Sequence, residues 1–328
     1  MIVITGGAGF IGSNLAAALE ERGRHDLVIC DRLGRNDKWR NLAKREIAAF
    51  IAPEDLFQFI DDHARAIDAV LHLGAISSTT ETDADLVVAT NLGLSLRLWN
   101  WCATREVTFI YASSAATYGD GARDFEDDDS VAALAQLRPL NLYGWSKHAF
   151  DRRVARLVAE GAKRPPHWAG LKFFNVYGPN EYHKGAMRSV ALQIYERAAH
   201  AEPALLFRSN RSGIPDGGQK RDFVYVRDCI EMMLWLLDHP EVNGLFNIGS
   251  GNARSFAELA KAVFRALGRE PSIDFVDTPA ELQSRYQYFT EARMDRLIAA
   301  GYDRPVTSLE VGVADYVGSF LATPDPYR

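Results

Sequence analysis

The chain has 328 residues, 47% of them hydrophobic and 24% charged, and a formal net charge of −6. This length supplies ample core for one large domain or two smaller ones, and the acidic balance argues against nucleic acid or an anionic membrane as a partner. The three cysteines are scattered, which fits neither a disulfide framework nor a metal site and favours a reducing compartment such as the cytoplasm. No run approaches about 18 apolar residues, so we predict no membrane span and no signal peptide.

The N-terminus has the pattern of a dinucleotide-binding fingerprint. Ile2–Ile4 predicts a short buried strand, Thr5–Ser13 is a glycine-rich loop, and Asn14–Glu21 predicts a helix. The spacing fits Gly-x-Gly-x-x-Gly from Gly7 and Gly-x-x-Gly-x-x-Gly from Gly6 alike. Glycines let a backbone approach a pyrophosphate, and the following helix N-terminus offers N–H donors. The predicted cofactor contacts in this loop include Gly6, Gly9 and Gly12.

Asp31 ends the second predicted strand, Leu27–Cys30. An acid about 20 residues after the glycines usually bonds ribose hydroxyls and favours NAD. Arg32 follows at once and Lys38 lies close behind, and basic groups there can hold the 2′-phosphate of NADP. The residues alone leave the choice between NAD and NADP open.

The next predicted elements lead to another strand end. A short strand over Glu46–Ala49 and a helix over Pro53–Asp62 precede the buried strand Asp68–Ala75. Its last residues, Gly74 and Ala75, are small and leave room for a ribose or nicotinamide.

Ser77–Glu81 is a polar run just beyond that strand. Ligands of open α/β sheets lie beyond the carboxyl ends of the strands, so this run either lines a site or caps the helix predicted over Asp83–Ala103. Asn91, inside that helix, either faces solvent or ties the helix to a neighbouring strand end.

The candidate catalytic groups come from the next strand and helix. Val107–Ala112 predicts a strand, and Ser114 follows it with a hydroxyl that can bond a substrate alcohol or carbonyl. Tyr143 and Lys147 stand four residues apart in a helix predicted over Tyr143–Ala159, so their side chains share one face. A neighbouring ammonium lowers the pKa of a phenol. The tyrosine can then take a proton from a hydroxyl while hydride leaves the same carbon.

Lys184 lies in a polar turn after the predicted strand Leu171–Phe174. It is either a solvated surface lysine or, if buried, a second proton carrier. Further on, Gly244–Gly249 predicts a strand that returns to the sheet, and Ser255 with Glu258 predicts a capping box. Basic residues that can clamp a diphosphate are Arg208, Arg211, Lys220, Arg221 and Arg285.

Five motifs give the chain a resemblance to the extended short-chain dehydrogenase/reductase family over essentially its whole length. They are Thr5–Gly12, Asp68–Ala75, Tyr143–Lys147, Asn175–Pro179 and Arg221–Val226. The resemblance implies an α/β fold, with a Rossmann-type doubly wound parallel sheet and a smaller α/β C-terminal substrate lobe. The expected division is a cofactor-binding domain of residues 1–174 with about 222–250, and a substrate lobe of about 175–221 with 251–328.

Within that family the chain looks most like the ADP-glyceromanno-heptose 6-epimerases, which serve lipopolysaccharide core-sugar synthesis. The more specific motifs are Ser77–Glu81, Tyr111–Gly119, His183–Gly185 and Gly301–Asp303. This resemblance implies transient oxidation at C6 of an ADP-heptose by bound NADP, followed by hydride return to the other face. It also implies a cytoplasmic homo-oligomer, commonly a pentamer, whose partner is the small-molecule nucleotide sugar.

The resemblance also implies roles for individual residues. Tyr143 would be the base for one epimer and Lys184 for the other, Ser114 would orient the C6 oxygen, and Lys147 would hold the nicotinamide ribose and tune Tyr143. The implied cofactor contacts are Gly6, Gly9, Phe10, Ile11, Gly12, Asp31, Arg32, Lys38, Leu73, Gly74, Ala75, Ile76, Ser77, Asn91, Tyr143, Lys147, Val176 and Lys184. The implied substrate contacts are Ser77, Ser78, Thr79, Ser114, Asn175, Ala186, Gln193, Phe207, Arg208, Ser209, Arg221 and Tyr286.

Some positions depart from the family pattern. Ala186 and Gln193 stand where it has a serine and a histidine, and Pro53 stands where it has a cofactor-contacting lysine. The loop Asn210–Gln219 looks longer than usual. These departures bear on local contacts and not on the reaction.

Three alternatives to the 6-epimerase interpretation differ in what they require. A UDP-sugar 4-epimerase needs no second base at Lys184, because its sugar can flip. A 4,6-dehydratase is disfavoured by Ala115 and Ala116, which stand where that reaction needs acids. A non-catalytic nucleotide sensor is disfavoured because the Tyr143/Lys147 pair is present.

Overall fold

A computed structural model describes residues 1–279 and 286–328 of the chain. The strands are β1 Ile2–Thr5, β2 Leu27–Cys30, β3 Ala49–Ile51, β4 Ala69–His72, β5 Thr108–Ser114, β6 Trp168–Phe173, β7 Asn175–Tyr177, β8 Ala204–Phe207, β9 Lys220–Tyr225, β10 Gly244–Ile248, β11 Ala253–Ser255 and β12 Ile273–Val276. The helices are α1 Phe10–Glu21, α2 Leu56–Asp62, α3 Ala84–Val87, α4 Leu94–Arg105, α5 Val131–Leu134, α6 Leu142–Ala159, α7 Val190–Ala199, α8 Val226–Asp238, α9 Phe256–Ala266, α10 Asp295–Ala299 and α11 Leu309–Tyr316.

A seven-stranded parallel sheet forms the centre of the molecule, in the order β10-β6-β5-β4-β1-β2-β3. Strands β1, β2 and β4 are buried along their whole length, as expected for a parallel sheet covered by helices on both faces. The strand order reverses direction between β1 and β4, and ligands of such sheets bind at the crevice where this happens.

Two smaller sheets stand beside the large one. One has the order β11-β9-β7 and the other pairs β12 with β8. The predicted fold class, a doubly wound parallel sheet with a smaller α/β lobe, is confirmed. The predicted domain boundary at residues 221/222 falls inside β9, a strand of the small sheet; the division itself stays a prediction.

Several predicted elements shift at their ends. The strand predicted over Glu46–Ala49 is wrong, because Ala49 is the first residue to pair with β2, opposite Val28. Arg45 and Glu46 are instead held by the carboxylate of Glu20, through the Arg45 guanidinium and the Glu46 N–H.

Two helix starts also differ from prediction. Helix α1 begins at Phe10 rather than Asn14, since Gly9 has the extended backbone of an N-cap and the chain turns helical directly after it. Helix α2 begins at Leu56, and the preceding residues from Pro53 form a turn.

Other predictions at the ends of helices hold. Ser255 and Glu258 form the predicted reciprocal capping box at the start of α9. The helix predicted over Asp83–Ala103 is present from Ala84 to Arg105, with a π-helical turn at Val88–Gly93.

Within the described ranges, no helix is both long and apolar enough to cross a bilayer.

Candidate active site

A cavity of about 670 Å³ opens at the carboxyl ends of β1, β4, β5 and β6. Residues from the glycine loop, from the segment after β4, from the first turn of α6 and from the 182–187 turn form its walls. Its lining includes Gly6, Gly9, Phe10, Ile11, Gly12, Asp31, Lys38, Leu73, Gly74, Ala75, Ser77, Thr79, Ser114, Tyr143, Lys147, Asn175, Val176, Lys184, Ala186 and Gln193. Tertiary folding thus brings most of the predicted site residues to one cavity.

The glycine loop is shaped for a phosphate. Gly6 has φ +69°, and a Cβ there would lie 2.5 Å from the nitrogen of Gly74, while a Cβ on Gly12 would collide with the carbonyl oxygen of Gly6. Gly9 caps α1 without a side chain, and the first turn of the helix carries no acid. The helix N-terminus therefore faces the cavity with its N–H donors uncovered by side chains, which suits a dinucleotide pyrophosphate.

The carboxylate of Asp31, at the end of β2, already has hydrogen-bond and ion-pair partners within the protein. The carboxylate accepts hydrogen bonds from the backbone of Ala8 (2.9 Å) and Arg32 (2.7 Å), and Lys38 Nζ lies 2.7 Å away. The Arg32 side chain does not line the cavity; it is exposed and pairs with Glu54. Of the two basic residues, Lys38 therefore lies beside the Asp31 carboxylate, the acid that can bind a ribose, and Arg32 is the next residue in the chain.

Asn91 forms hydrogen bonds with the backbone of the segment after β4, on the side away from the cavity. Its amide bonds both the N–H and the carbonyl of Ile76 and the hydroxyl of Ser146, and the side chain is fully buried. Of the two sequence-based alternatives, Asn91 thus ties its helix to the segment after β4, and it does not line the cavity. Its contact with a cofactor stays a prediction. Ile76 and Ser78 also lie outside the lining.

Tyr143 is placed by the start of α6. The Asn141 side chain caps this helix by accepting from Gly144 N at 2.8 Å, which puts Tyr143 in the first turn. A Cβ on Gly144 would lie 2.6 Å from the carbonyl oxygen of Ala116, so a glycine permits the close approach of α6 to the segment after β5. Ser114, the last residue of β5, shares a hydrogen bond with the Tyr143 phenol.

The pKa of Tyr143 differs from the sequence-based expectation. Burial raises the pKa of this phenol above its ordinary value, and the hydrogen bond to Ser114 only partly opposes that rise. Lys147 is buried and donates from Nζ to the Ala112 carbonyl at 2.8 Å, and burial lowers its pKa to about 8. The expectation that Lys147 lowers the pKa of Tyr143 is therefore not met: desolvation, which disfavours the phenolate, dominates.

A buried ion pair joins β6 to α6, the helix that carries the candidate catalytic residues Tyr143 and Lys147. Lys172 Nζ of β6 and Asp151 Oδ2 of α6 are 3.6 Å apart, and both side chains are completely buried. Asp151 also accepts hydrogen bonds from Ser113 (2.6 Å) and Tyr111 (3.1 Å), so it ties α6 to β5. Sequence analysis did not single out this pair, although Asp151 stands four residues after Lys147 on the same helix face.

Lys184 reaches the cavity from the 3-10 turn Tyr182–Met187. Its Nζ lies 5.2 Å from the centre of the Phe10 ring, and it makes no ion pair with any residue that the structure describes. Burial lowers its pKa, and Glu181 opposes that change. Lys184 is half-buried and lines the cavity, so of the two sequence-based alternatives the structure favours a lysine in the site over a fully solvated one.

A second group of predicted residues lies outside the cavity lining. Arg221 is 8% exposed, has no carboxylate within ion-pair distance among the described residues, and places its guanidinium 5.2 Å from the ring centre of Tyr286. Phe207 packs edge-on against the same ring at 5.9 Å. Arg208 and Ser209 follow Phe207 on the surface, where Arg208 lies 3.7 Å from Asp277. Arg285 lies outside the described residues.

The cavity also contains residues that sequence analysis missed. Their places in the site follow only from the folded chain, although His183, Phe173 and Phe174 belong to segments named in the sequence analysis; they include Asn141, Phe173, Phe174, His183, Arg188, Ser189, Gln287 and Thr290. Pro53 is not among the lining residues.

Comparison with known proteins places this site in a family. The model of the NAD dependent epimerase/dehydratase family matches residues 2–249. The chain is 48% identical to ADP-L-glycero-D-manno-heptose-6-epimerase of Nitratidesulfovibrio vulgaris (strain DP4), over 100% of both chains. It resembles the crystal structure of Helicobacter pylori ADP-L-glycero-D-manno-heptose-6-epimerase with a TM-score of 0.79 and 29% identity, covering 97% of this chain and 95% of that one.

A solved 4-epimerase is also similar. The crystal structure of UDP-glucose 4-epimerase from Thermus thermophilus in complex with NAD matches with a TM-score of 0.74 and 25% identity, covering 97% of each chain. The family model spans most of the chain and includes the glycine loop, Ser114, Tyr143 and Lys147. The chain belongs to the NAD dependent epimerase/dehydratase family.

Proposed function

We propose that the chain epimerises C6 of the heptose in ADP-D-glycero-β-D-manno-heptose to give ADP-L-glycero-β-D-manno-heptose, for lipopolysaccharide inner-core synthesis. The observation that carries this proposal is a second proton carrier, the half-buried Lys184, in the cavity that is also lined by Ser114, Tyr143 and Lys147. The full-length identity of 48% to a protein named for this activity supports it.

Tyr143 and Lys184 each exchange the hydroxyl proton of one of the two epimers. The glycine loop and Asp31 would hold a nicotinamide dinucleotide, which would supply the acceptor and donor of hydride for C6. For one epimer the Tyr143 phenolate takes the proton of the C6 hydroxyl, which leaves a ketone at C6, and Ser114 holds the ketone oxygen. For the other epimer the corresponding proton is exchanged with Lys184. The hydride returns to the carbon that it left, so the sugar is neither oxidised nor reduced overall. One turnover leaves Tyr143 protonated and Lys184 neutral, and a proton passed from Tyr143 to Lys184 through solvent restores both groups for the next cycle.

The substrate diphosphate is proposed to bind at Arg221. This guanidinium is buried without an acidic partner among the described residues, and a diphosphate would neutralise it through forked hydrogen bonds. Phe207 and Tyr286 flank it with aromatic rings.

Replacing Lys184 with alanine tests the reaction. We expect wild type to convert ADP-D-glycero-β-D-manno-heptose to its 6-epimer and the variant to lose about 10²–10⁴-fold in rate, the usual worth of a positioned acid or base. Formation of the epimer is followed by NMR. Efficient turnover of UDP-galactose instead, with Lys184→Ala nearly as active as wild type, would favour the UDP-sugar 4-epimerase alternative.

The cofactor is proposed to be NADP. Lys38 and two backbone N–H groups already neutralise Asp31, so its carboxylate is less available to a ribose 2′-hydroxyl. A 2′-phosphate would draw on the ammonium of Lys38, which pairs with Asp31, and on the exposed guanidinium of Arg32, which pairs with Glu54.

Removing both cations tests the cofactor proposal. We expect the double variant Arg32→Ala/Lys38→Ala to bind NADP about 100-fold more weakly, since charge-assisted hydrogen bonds contribute roughly 1.5–3 kcal/mol each. Affinity for NAD should change by less than about threefold. Isothermal titration calorimetry on the cofactor-free protein measures both. Arg65→Ala removes an exposed arginine outside the cavity lining and serves as the control; equal losses for NAD and NADP would contradict the proposal.

A further inference from the structure

Glu181 is a buried carboxylate three residues before Lys184. It is fully buried, and its partners are hydrogen-bond donors from three parts of the chain. Oε1 accepts from Ser189 Oγ (2.7 Å), Tyr316 OH (3.1 Å) and Gly178 N (3.3 Å), and Oε2 accepts from Ser189 N. These donors favour the ionised form, but burial outweighs them and raises the pKa of Glu181 above its ordinary value.

These contacts fix the turn that carries Lys184. Ser189 caps α7 and Tyr316 ends α11, so the carboxylate joins the turn to two helices. The N–H of Lys184 bonds the carbonyl of Glu181 at 3.1 Å, and the next residue, Gly185, has φ +55°. The lysine backbone is thus tied directly to the residue that bears the buried charge.

Few charged groups among the described residues act on Lys184. Glu181 is the carboxylate that acts on it, and Phe10 faces it from α1. His183 and Lys38 lie on the side of the cofactor loop. Burial, together with the positive charges of Lys38 and Lys184, lowers the pKa of His183 to about 4, which keeps the imidazole neutral near pH 7. Tyr182 and Tyr316 are buried phenols with raised pKa values.

We infer that Glu181 is a positioning residue, which holds the turn bearing Lys184 and keeps Lys184 cationic enough to exchange a proton with the substrate. The inference rests on the proposed function, in which Lys184 serves one epimer. It assigns two separable effects to one carboxylate: the geometry of the turn and the charge state of the lysine.

The Glu181→Gln variant removes the charge and keeps the size of the side chain. An ammonium that loses a nearby anion is deprotonated more easily, so the pKa of Lys184 should fall below its wild-type value. The measurement is the Cε chemical shift of Lys184 against pH in protein labelled with ¹³C-lysine, with Lys184→Arg to assign the signal. In turnover of ADP-D-glycero-β-D-manno-heptose, the limb of the pH profile that belongs to Lys184 should move to lower pH by the same amount.

Ser189→Ala separates geometry from charge. It removes the Ser189 Oγ hydrogen bond but leaves the carboxylate, so we expect turnover to fall by about tenfold or more from misplacement of the turn while the titration of Lys184 stays at its wild-type position. If Glu181→Gln does not fold, this variant decides: slower turnover with an intact fold supports the positioning role, and wild-type turnover overturns it.

The outcomes distinguish this inference from the proposed function. Full activity of the Lys184→Ala variant would contradict the proposed function, whatever the titration of Lys184 shows in wild type and in Glu181→Gln. A nearly inactive Lys184→Ala variant together with an unchanged Lys184 titration in Glu181→Gln overturns only the role of Glu181, which would then be a purely structural cap of α7.

Discussion

Tyr143→Phe is expected to lower kcat by about 10²–10⁴-fold, the range for loss of a general acid–base group. The phenylalanine keeps the ring in the first turn of α6 but removes the hydroxyl that Ser114 engages. Because the ring packing is preserved, we expect KM and the midpoint of thermal unfolding to change little. Steady-state epimerisation of ADP-D-glycero-β-D-manno-heptose, followed by NMR, measures the loss.

Tyr195→Phe provides a matched control. Tyr195 lies on α7 outside the cavity, and its hydroxyl bonds the carbonyl of Leu321 at 2.7 Å. This variant should retain kcat within about twofold, as expected for a change remote from the reacting atoms. If Tyr143→Phe kept more than a tenth of wild-type activity, Tyr143 would not be the principal acid–base group.

Lys172→Met is expected to lower the free energy of unfolding by about 3–5 kcal/mol, the usual cost of leaving a buried charge uncompensated. Asp151 would remain completely buried with only the hydroxyls of Ser113 and Tyr111 as partners. Thr117 would also lose the hydrogen bond that it accepts from Lys172 Nζ at 2.9 Å. Urea unfolding followed by circular dichroism measures the change.

The double variant Lys172→Met/Asp151→Leu tests the cause. Removing both charges should restore much of the lost stability, since apolar replacements of a buried ion pair are often neutral or better. Lys163→Met, on the exposed segment before β6, should stay within about 0.5 kcal/mol of wild type. A loss in the double variant equal to that in Lys172→Met would show that packing, and not the unpaired charge, sets the cost.

The site residues that sequence reasoning found belong to local motifs. The glycine loop, Asp31, Ser114 and the Tyr143/Lys147 pair each follow a strand or begin a helix, so the position of each could be predicted from spacing and periodicity. Parallel strands then carry these segments to one edge of the sheet, where the structure finds them around one cavity.

The supporting residues could not be found in the same way. Asn91 and Ile76, or Asp151 and Lys172, are paired across helices and strands that are separated in sequence, and no short pattern records such a contact. The two alternatives for Asn91 stayed open in the sequence for this reason: a polar residue inside a helix has several possible partners, and only the packed neighbours select one.

The fold class, the cofactor loop and the helix with the Tyr143/Lys147 pair could be predicted from the residues alone, because hydrophobic period, glycine spacing and side-chain spacing on a helix are local properties. The position of Lys184, half-buried in the wall of the cavity, and the raised pKa of Tyr143 became visible only in the folded chain. Both depend on desolvation and on buried partners such as Glu181, which exist only once distant segments have packed together.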